Sequence, residues 1–132
     1  MPRNFRLPGG DLEYRVLDTV WDLRKATARE IYERVGEPAG LVYTTVAKVL
    51  DRLHAKGLVR RTRVGNAFTY EPGATRDVVE RARTKRGLHQ ILGSRPRPAI
   101  ARLVDAVESL DPTLLDELAR LVAAKRRVRD GS

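Results

Sequence analysis

Two short strand-forming runs follow directly after three helical patterns, and only Gly65 and Asn66 separate these two runs. The runs cover residues 58–64 and 67–71 and are rich in β-forming side chains. A two-residue connection favours antiparallel pairing, and both Gly and Asn accept the positive φ angles of tight hairpin turns. Three helices followed by a hairpin is the element order of a winged helix-turn-helix. The sequence therefore predicts an α+β, mostly helical fold with a winged helix-turn-helix head.

The first two helical patterns have recognisable starts. Asp11 precedes apolar residues at helical spacing, and we expect it to cap the free amides of the first helix. Residues 27–30, Thr-Ala-Arg-Glu, form a capping box for the second helix. Gly36 and Pro38 are expected to end that helix.

The third helical pattern, residues 44–56, separates an apolar face from a polar one, and Gly57 follows it as a predicted left-handed stop. The apolar face, which should meet the core, consists of Val46, Val49, Leu50 and Leu53. The predicted solvent face consists of Thr44, Thr45, Ala47, Lys48, Asp51, Arg52 and Ala55. Small, hydroxyl and cationic side chains on one face suit a DNA groove.

Proline and glycine divide the chain into segments. Residues 1–10 contain two of each and are predicted to form a flexible tail. Pro72 and Gly73 end the hairpin, and Thr75 is placed to cap a fourth helix. The predicted domains are therefore a winged-helix DNA-binding domain over residues 11–73 and a helical dimerisation domain over residues 74–132.

The helices of the second predicted domain carry apolar stripes. Residues 93–98 interrupt the helical pattern, and the last helix opens at Asp111-Pro112. A segment this short cannot bury its own apolar faces, and we therefore expect a second copy of the chain to cover them. The alternative is that these helices fold back onto the winged-helix domain of the same chain. The predicted dimerisation residues are Ile91, Leu92, Ile100, Leu103, Val104, Val107, Leu114, Leu115, Leu118, Leu121 and Val122.

Charge and composition narrow the class of partner. The chain has 26 Lys and Arg against 17 Asp and Glu, a formal net charge of +9, which favours an anionic partner. Cysteine is absent, which excludes disulfides, thiolate metal sites and cysteine nucleophiles. No run approaches the roughly 18 apolar residues of a membrane span, so we predict a cytoplasmic protein without a membrane partner.

Motifs for catalysis are missing from the sequence. The two histidines, His54 and His89, stand far apart and outside any paired-ligand spacing. There is no Walker phosphate loop, no dinucleotide-binding glycine pattern and no nucleophile elbow. We therefore predict that the chain is not an enzyme and uses no metal or other cofactor.

Basic residues cluster on the elements that would touch double-stranded DNA. Lys48, Arg52, Lys56, Arg60, Arg61 and Arg63 are opposed locally only by Asp51. Thr44, Thr45 and Lys48 are expected to read base edges, and Arg52, one turn later, to hold a phosphate. The full predicted DNA-binding set is Tyr43, Thr44, Thr45, Lys48, Arg52, Arg61, Arg63 and Asn66.

Two other interpretations of this basic surface remain open. The residues could form an ordinary solvated helix face. Alternatively, a basic winged helix could be a protein-interaction module that binds an acidic protein partner.

The residues also resemble a known family. Similar motifs occur in the same order and at similar spacing in the penicillinase-repressor (BlaI/MecI-type) family: Leu12-Glu13, Val20-Trp21, Thr27-Ala-Arg-Glu-Ile31, Tyr43-Thr-Thr-Val46, Leu50-x-Arg52-Leu53-x-x-Lys56-Gly57-Leu58 and Gly65-x-Ala67-Phe68-x-Tyr70-x-Pro72. The resemblance covers residues 11–73, with a looser helical likeness beyond. It implies a dimeric winged-helix transcriptional repressor that binds an inverted-repeat operator as a homodimer.

The chain departs from the family pattern in three respects. Asn66 stands where the family commonly has Arg after the wing glycine. Well-known members are inactivated by a sensor protease that cuts an Asn-Phe bond in the C-terminal region, whereas the only such pair here is Asn4-Phe5. Copper-responsive relatives carry a C-terminal cysteine cluster, which this chain lacks.

Overall fold

The computed structural model describes residues 4–131 and divides the chain into two compact units, one ending at Thr84 and one beginning at Lys85. The α-helices are α1 (Asp11–Leu23), α2 (Ala28–Ile31), α3 (Tyr43–Ala55), α4 (Arg76–Leu92), α5 (Pro96–Leu110) and α6 (Pro112–Gly131), and a π-helical segment (Tyr32–Gly36) continues α2. The strands are β1 (Ala26–Thr27), β2 (Val59–Val64) and β3 (Ala67–Pro72). This architecture confirms the predicted α+β, mostly helical class with a winged helix-turn-helix head.

The hairpin has its turn at the predicted position. Strands β2 and β3 pair antiparallel, with Val64 opposite Ala67, so Gly65 and Asn66 form the whole connection. Gly65 has a φ of 62°, whereas Asn66 lies outside the positive-φ region. A positive φ at the first central position alone is the pattern of a type II′ turn, which matches the twist of paired strands.

The sheet has a third strand, β1, which was not predicted from the sequence. It pairs antiparallel with β3, Ala26 lying opposite Tyr70, and gives the sheet order β1-β3-β2. Two residues are too few to show alternation, so only the tertiary structure reveals this strand. It fastens the sheet to the start of α2, where Thr27 and Glu30 form the predicted capping box.

The core of the first unit lies between α1, α3 and the sheet. The predicted apolar face of α3 is fully buried, which confirms that assignment. The largest fully buried side chains are Leu17, Ile31, Leu50, Leu53, Leu58, Val16, Val20, Val46, Val49, Val59 and Val79. Gly57, with a φ of 78°, ends the helical stretch in the left-handed conformation that was expected of it.

The segment before α1 corrects two predictions. Residues 4–10 are packed rather than a flexible tail: the Arg6 amide donates to the Lys56 carbonyl at 2.8 Å, and Phe5 and Leu7 contact the core. Residues 1–3 of the predicted tail lie outside the described range. Asp11 does not cap α1, because Gly10 occupies the N-cap position and no side chain bonds there. Sequence spacing could not place the cap to within one residue.

The predicted boundary after residue 73 also differs from the structural division. Thr75 caps α4 as expected, its hydroxyl accepting from the Val78 amide at 3.3 Å. The first half of α4 nevertheless belongs to the first unit, where Val79 and Ala82 are buried. Trp21 on α1 reinforces this attachment, because its indole donates to the Ala74 carbonyl at 2.9 Å.

The second unit contains the end of α4 together with α5 and α6. Gly93, with a φ of 55°, follows α4, and α5 begins at Pro96, so the interruption is shorter than the predicted 93–98. The Asp111 carboxylate accepts from the Thr113 amide at 2.9 Å, which confirms the predicted opening of α6. Among the described residues, no helix is long and apolar enough to cross a membrane.

Candidate nucleic-acid interface

The exposed face of α3 carries a row of polar side chains. Thr44, Lys48 and Arg52 follow one another at four-residue spacing, so they lie along one side of the helix, and all three are exposed. Thr45 is half-buried, so its hydroxyl is less available than sequence analysis expected. The opposite face is anchored in the core, which holds this row toward solvent.

The cations around α3 are more fully paired than the sequence suggested. Lys56 binds Glu13 at 2.6 Å, and Arg60 lies 3.6 Å from Glu71. Asp51 is therefore not the only opposing acid, and the expectation of an almost unopposed cluster was wrong. Glu13 comes from a distant part of the sequence, and Glu71 lies opposite Arg60 across the hairpin, so a count of charges along α3 and β2 alone could not find them.

Arg61 joins α3 to the hairpin. Its guanidinium donates to the Asp51 carboxylate at 2.9 Å and lies 4.4 Å from the centre of the Phe68 ring. Burial raises the pKa of the neighbouring Tyr70 hydroxyl, although a hydrogen bond with Arg61 opposes the change. Arg61 was predicted as a DNA contact, and the structure places it in an intramolecular network between α3 and β3.

The other two predicted wing residues are exposed near the turn. The Arg63 Nε donates to the Gly65 carbonyl at 3.3 Å, and its guanidinium lies 5.8 Å from the Phe68 ring. Asn66 occupies the tip itself and is exposed. These contacts order the Arg63 side chain beside the turn without an acidic partner among the described residues.

Tyr43 opens α3 and forms an aromatic cluster that sequence analysis did not identify. Its ring meets the Tyr32 ring edge-on, with centroids 5.7 Å apart. The Arg29 guanidinium lies 4.7 Å from the Tyr43 ring centre and 5.7 Å from that of Tyr32. The three-residue spacing of Arg29 and Tyr32 is a sequence signal that could have indicated one of these contacts, but the approach of Tyr43 depends on tertiary folding.

The predicted dimerisation residues divide into two classes of exposure. Leu92, Leu103, Val104, Val107, Leu115 and Leu118 are half-buried, and α5 and α6 contact each other. The exposed members are Ile91, Ile100, Leu114, Leu121 and Val122, with 46–55% of each residue accessible. Exposed large apolar side chains at this density are typical of an interaction surface.

The described residues offer no group of three or more His, Asp or Glu that could hold a metal ion. His54 and His89 are both exposed.

Comparison with known proteins agrees with the resemblance. The family model described as penicillinase repressor matches residues 9–124. The transcriptional regulator BlaI of Mycobacterium tuberculosis, from strains CDC 1551 and H37Rv, is 36% identical over 115 residues, which covers 86% of this chain and 82% of the relative. Both relatives are named as regulators rather than as enzymes.

A solved structure resembles the winged-helix part of this chain. The solution structure of the DNA-binding domain of the repressor BlaI aligns with 55% of this chain and 89% of that domain, at a TM-score of 0.50 and 22% identity. This likeness concerns the fold and supports the winged-helix assignment. The family match over residues 9–124 and the 36% identity to BlaI show that the chain belongs to the penicillinase repressor family.

Proposed function

We propose that this protein is a transcriptional repressor that binds double-stranded DNA sequence-specifically through α3 and the β2-β3 wing. The observation that carries the proposal is the row of Thr44, Lys48 and Arg52 along a helix whose other face is locked in the core. In winged-helix proteins such a helix enters the major groove, where hydroxyl and cationic groups meet base edges and phosphates. The net charge of +9 supports an anionic partner.

Within this interface the residues have different tasks. Thr44 and Lys48, near the start of α3, contact base edges, since the N-terminal residues of a recognition helix approach the groove floor. Arg52 lies a turn later and contacts a backbone phosphate. Arg63 and Asn66 flank the groove from the wing. Tyr43, Thr45 and Arg61 complete the proposed DNA-binding set.

The protein binds as a homodimer in this proposal. The apolar faces of α5 and α6 are the dimer interface, and their exposed residues, such as Ile100 and Leu121, support it because each leaves close to half its area in water. A second copy would bury these surfaces, and burial of apolar area stabilises an interface by about 25 cal/mol per Å². Two symmetric heads then recognise the two halves of an inverted-repeat operator.

The proposal assigns the protein to the cytoplasm, where a bacterial chromosome lies, and includes no enzymatic activity. It does not extend to a sensor protease. The only Asn-Phe pair is Asn4-Phe5, and the Phe5 ring packs against the core rather than standing in an exposed loop.

The decisive experiment is a binding titration of the full chain against fragments of its own genome, followed by footprinting of any retained fragment. The proposal expects a protected site with two related half-sites and an affinity well above that for random DNA. Affinity for random DNA alone would refute sequence-specific binding, and affinity for an acidic protein with no protected DNA site would favour the protein-interaction function.

A further inference from the structure

We propose that Arg29 is a further DNA contact, a phosphate-binding residue whose guanidinium is held in position by the rings of Tyr43 and Tyr32. This inference rests on the proposed function, since it assigns Arg29 to the same DNA interface. The ligand is a phosphate of the DNA backbone beside the groove that α3 enters.

The first argument is position. Arg29 lies on α2, and its guanidinium sits 4.7 Å from the ring centre of Tyr43, the first residue of α3. The group is therefore beside the end of α3 that carries Thr44 and Lys48. In helix-turn-helix proteins the helix before the recognition helix crosses the DNA backbone, which brings a cation at this point near phosphates.

The second argument is the guanidinium's unused hydrogen-bonding capacity. The other arginines near α3 illustrate the contrast: Arg61 binds Asp51 at 2.9 Å, and Arg60 lies 3.6 Å from Glu71. Arg29 is exposed and has only its two ring contacts among the described residues. Its five N–H donors thus have no carboxylate or carbonyl partner there, and a planar fork of this kind matches phosphate oxygens.

The third argument is preorganisation. An exposed arginine normally samples many rotamers, and ordering it on a ligand costs entropy. Here two tyrosine rings, themselves in edge-on contact at 5.7 Å, hold the guanidinium over their faces. These cation–π contacts restrain the guanidinium without using its N–H donors, so the group is partly ordered before the phosphate arrives.

The test compares Arg29→Ala with the full-length protein on operator and random DNA at several salt concentrations. Loss of one phosphate contact per head should weaken both affinities by similar factors, about tenfold at low salt, and reduce the salt slope by about one per head. Arg29→Lys should retain most of the slope and recover part of the affinity, because it keeps the charge without the fork.

Arg83→Ala is the matched control. Arg83 is also exposed and also stacked on a tyrosine, 4.2 Å from the Tyr14 ring centre, but it lies on α4 against α1. The proposal expects this variant to bind DNA as the unaltered chain does. Circular dichroism melting of each variant separates loss of binding from loss of folding.

A separate pair of variants tests whether the Tyr43 ring positions the Arg29 guanidinium. Tyr43→Phe keeps the stacking surface, so Arg29→Ala should cost about the same in that background. Tyr43→Leu removes the ring, so Arg29→Ala should cost several-fold less there. Equal losses in both backgrounds would overturn the positioning role of the ring.

The outcomes also separate this inference from the proposed function. If Arg29→Ala and Arg83→Ala bind equally well, the phosphate contact is refuted while the DNA-binding function stands. If the unaltered chain protects no DNA site, the proposed function fails and this inference fails with it.

Discussion

The Lys56 ammonium lies 2.6 Å from the Glu13 carboxylate, and this ion pair joins the residue that follows α3 to the first turn of α1. The same carboxylate accepts from the Gly9 amide at 3.0 Å, so the segment before α1 is tied to the same point. Glu13 is 9% exposed, which shields the pair from solvent. Helix α3 is therefore fixed at its C-terminal end by charge as well as by apolar packing.

This cluster predicts a specific dependence of stability on pH. Burial alone would raise the pKa of Glu13, but hydrogen bonds from Lys56 and Gly9 outweigh it and hold the pKa below its ordinary value of 4.5. The folded chain therefore gives up the Glu13 proton more readily than the unfolded chain. The stabilisation from this group is fully present above pH 4.5 and is lost as the pH falls through the lowered pKa.

Glu13→Gln should accordingly lower the free energy of unfolding by about 1–2 kcal/mol at neutral pH, and by less in acid. Urea denaturation at about pH 7 and about pH 3 measures both values. Glu33→Gln is the control, because Glu33 is exposed and has no ion pair among the described residues. A loss for Glu13→Gln that is the same at both pH values would contradict the assignment.

Asp51 is predicted to restrain DNA affinity. Its carboxylate forms an ion pair with Arg61, a residue that could otherwise bind a phosphate, and it adds a negative charge to the face of α3. Asp51→Asn should therefore strengthen binding to operator and random DNA together, by about three- to tenfold at low salt, with a steeper salt dependence. Stability should change by less than about 1 kcal/mol, since the Asp51 carboxylate is exposed even though Arg61 is half-buried.

The control for this prediction is Asp77→Asn, which breaks a similar exposed pair between Asp77 and Arg81 at 2.8 Å on α4. It should leave DNA affinity nearly unchanged. Fluorescence anisotropy over a range of salt concentrations makes the comparison. A gain confined to the operator would show that Asp51 acts on base recognition rather than on charge.

Lys48 and Arg52 should differ in kind when they are replaced. Lys48→Ala is expected to cost about 1–3 kcal/mol on the operator and to relax discrimination at one base pair of each half-site. Arg52→Ala should weaken operator and random DNA by similar factors and lower the salt slope by about one per head. Titration on single-base operator variants distinguishes them, and equal, sequence-blind losses would refute the division of tasks.

The proposed dimer can be tested at an exposed position that a folded monomer would tolerate. Leu121 lies on α6 and is 48% exposed, so Leu121→Asp should leave the protomer folded but place a charge in the apolar interface. Light scattering should then report a monomer where the unaltered chain is a dimer, and operator affinity should fall. Ser94→Asp, in the exposed connection before α5, is the control; an intact Leu121→Asp dimer would place the interface elsewhere.

The sequence predicted elements whose signals are local. The apolar spacing of Val46, Val49, Leu50 and Leu53 defines the buried face of α3, and the Gly65-Asn66 pair defines the hairpin, because both patterns depend on residues a few positions apart.

What the sequence did not reveal depends on residues far apart in the chain. The pair Lys56–Glu13 and the packing of residues 4–10 form only after the helices meet. The same holds for the contact of Arg29 with Tyr43, which is why this part of the candidate site was missed. The exposed row on α3 was found because it is the complement of the buried face.

The geometry of the wing turn separates the part of the tip that is fixed from the part that can vary. Gly65 has a φ of 62°, a backbone conformation that is strained for any residue with a side chain. Asn66 has an ordinary φ, so the backbone places no such restriction on the residue at position 66. Replacement of Gly65 should damage the hairpin, but replacement of Asn66 should not. Natural selection can therefore adjust the charge that this repressor presents at its wing tip by changing one residue, without rebuilding the strand pair that supports it.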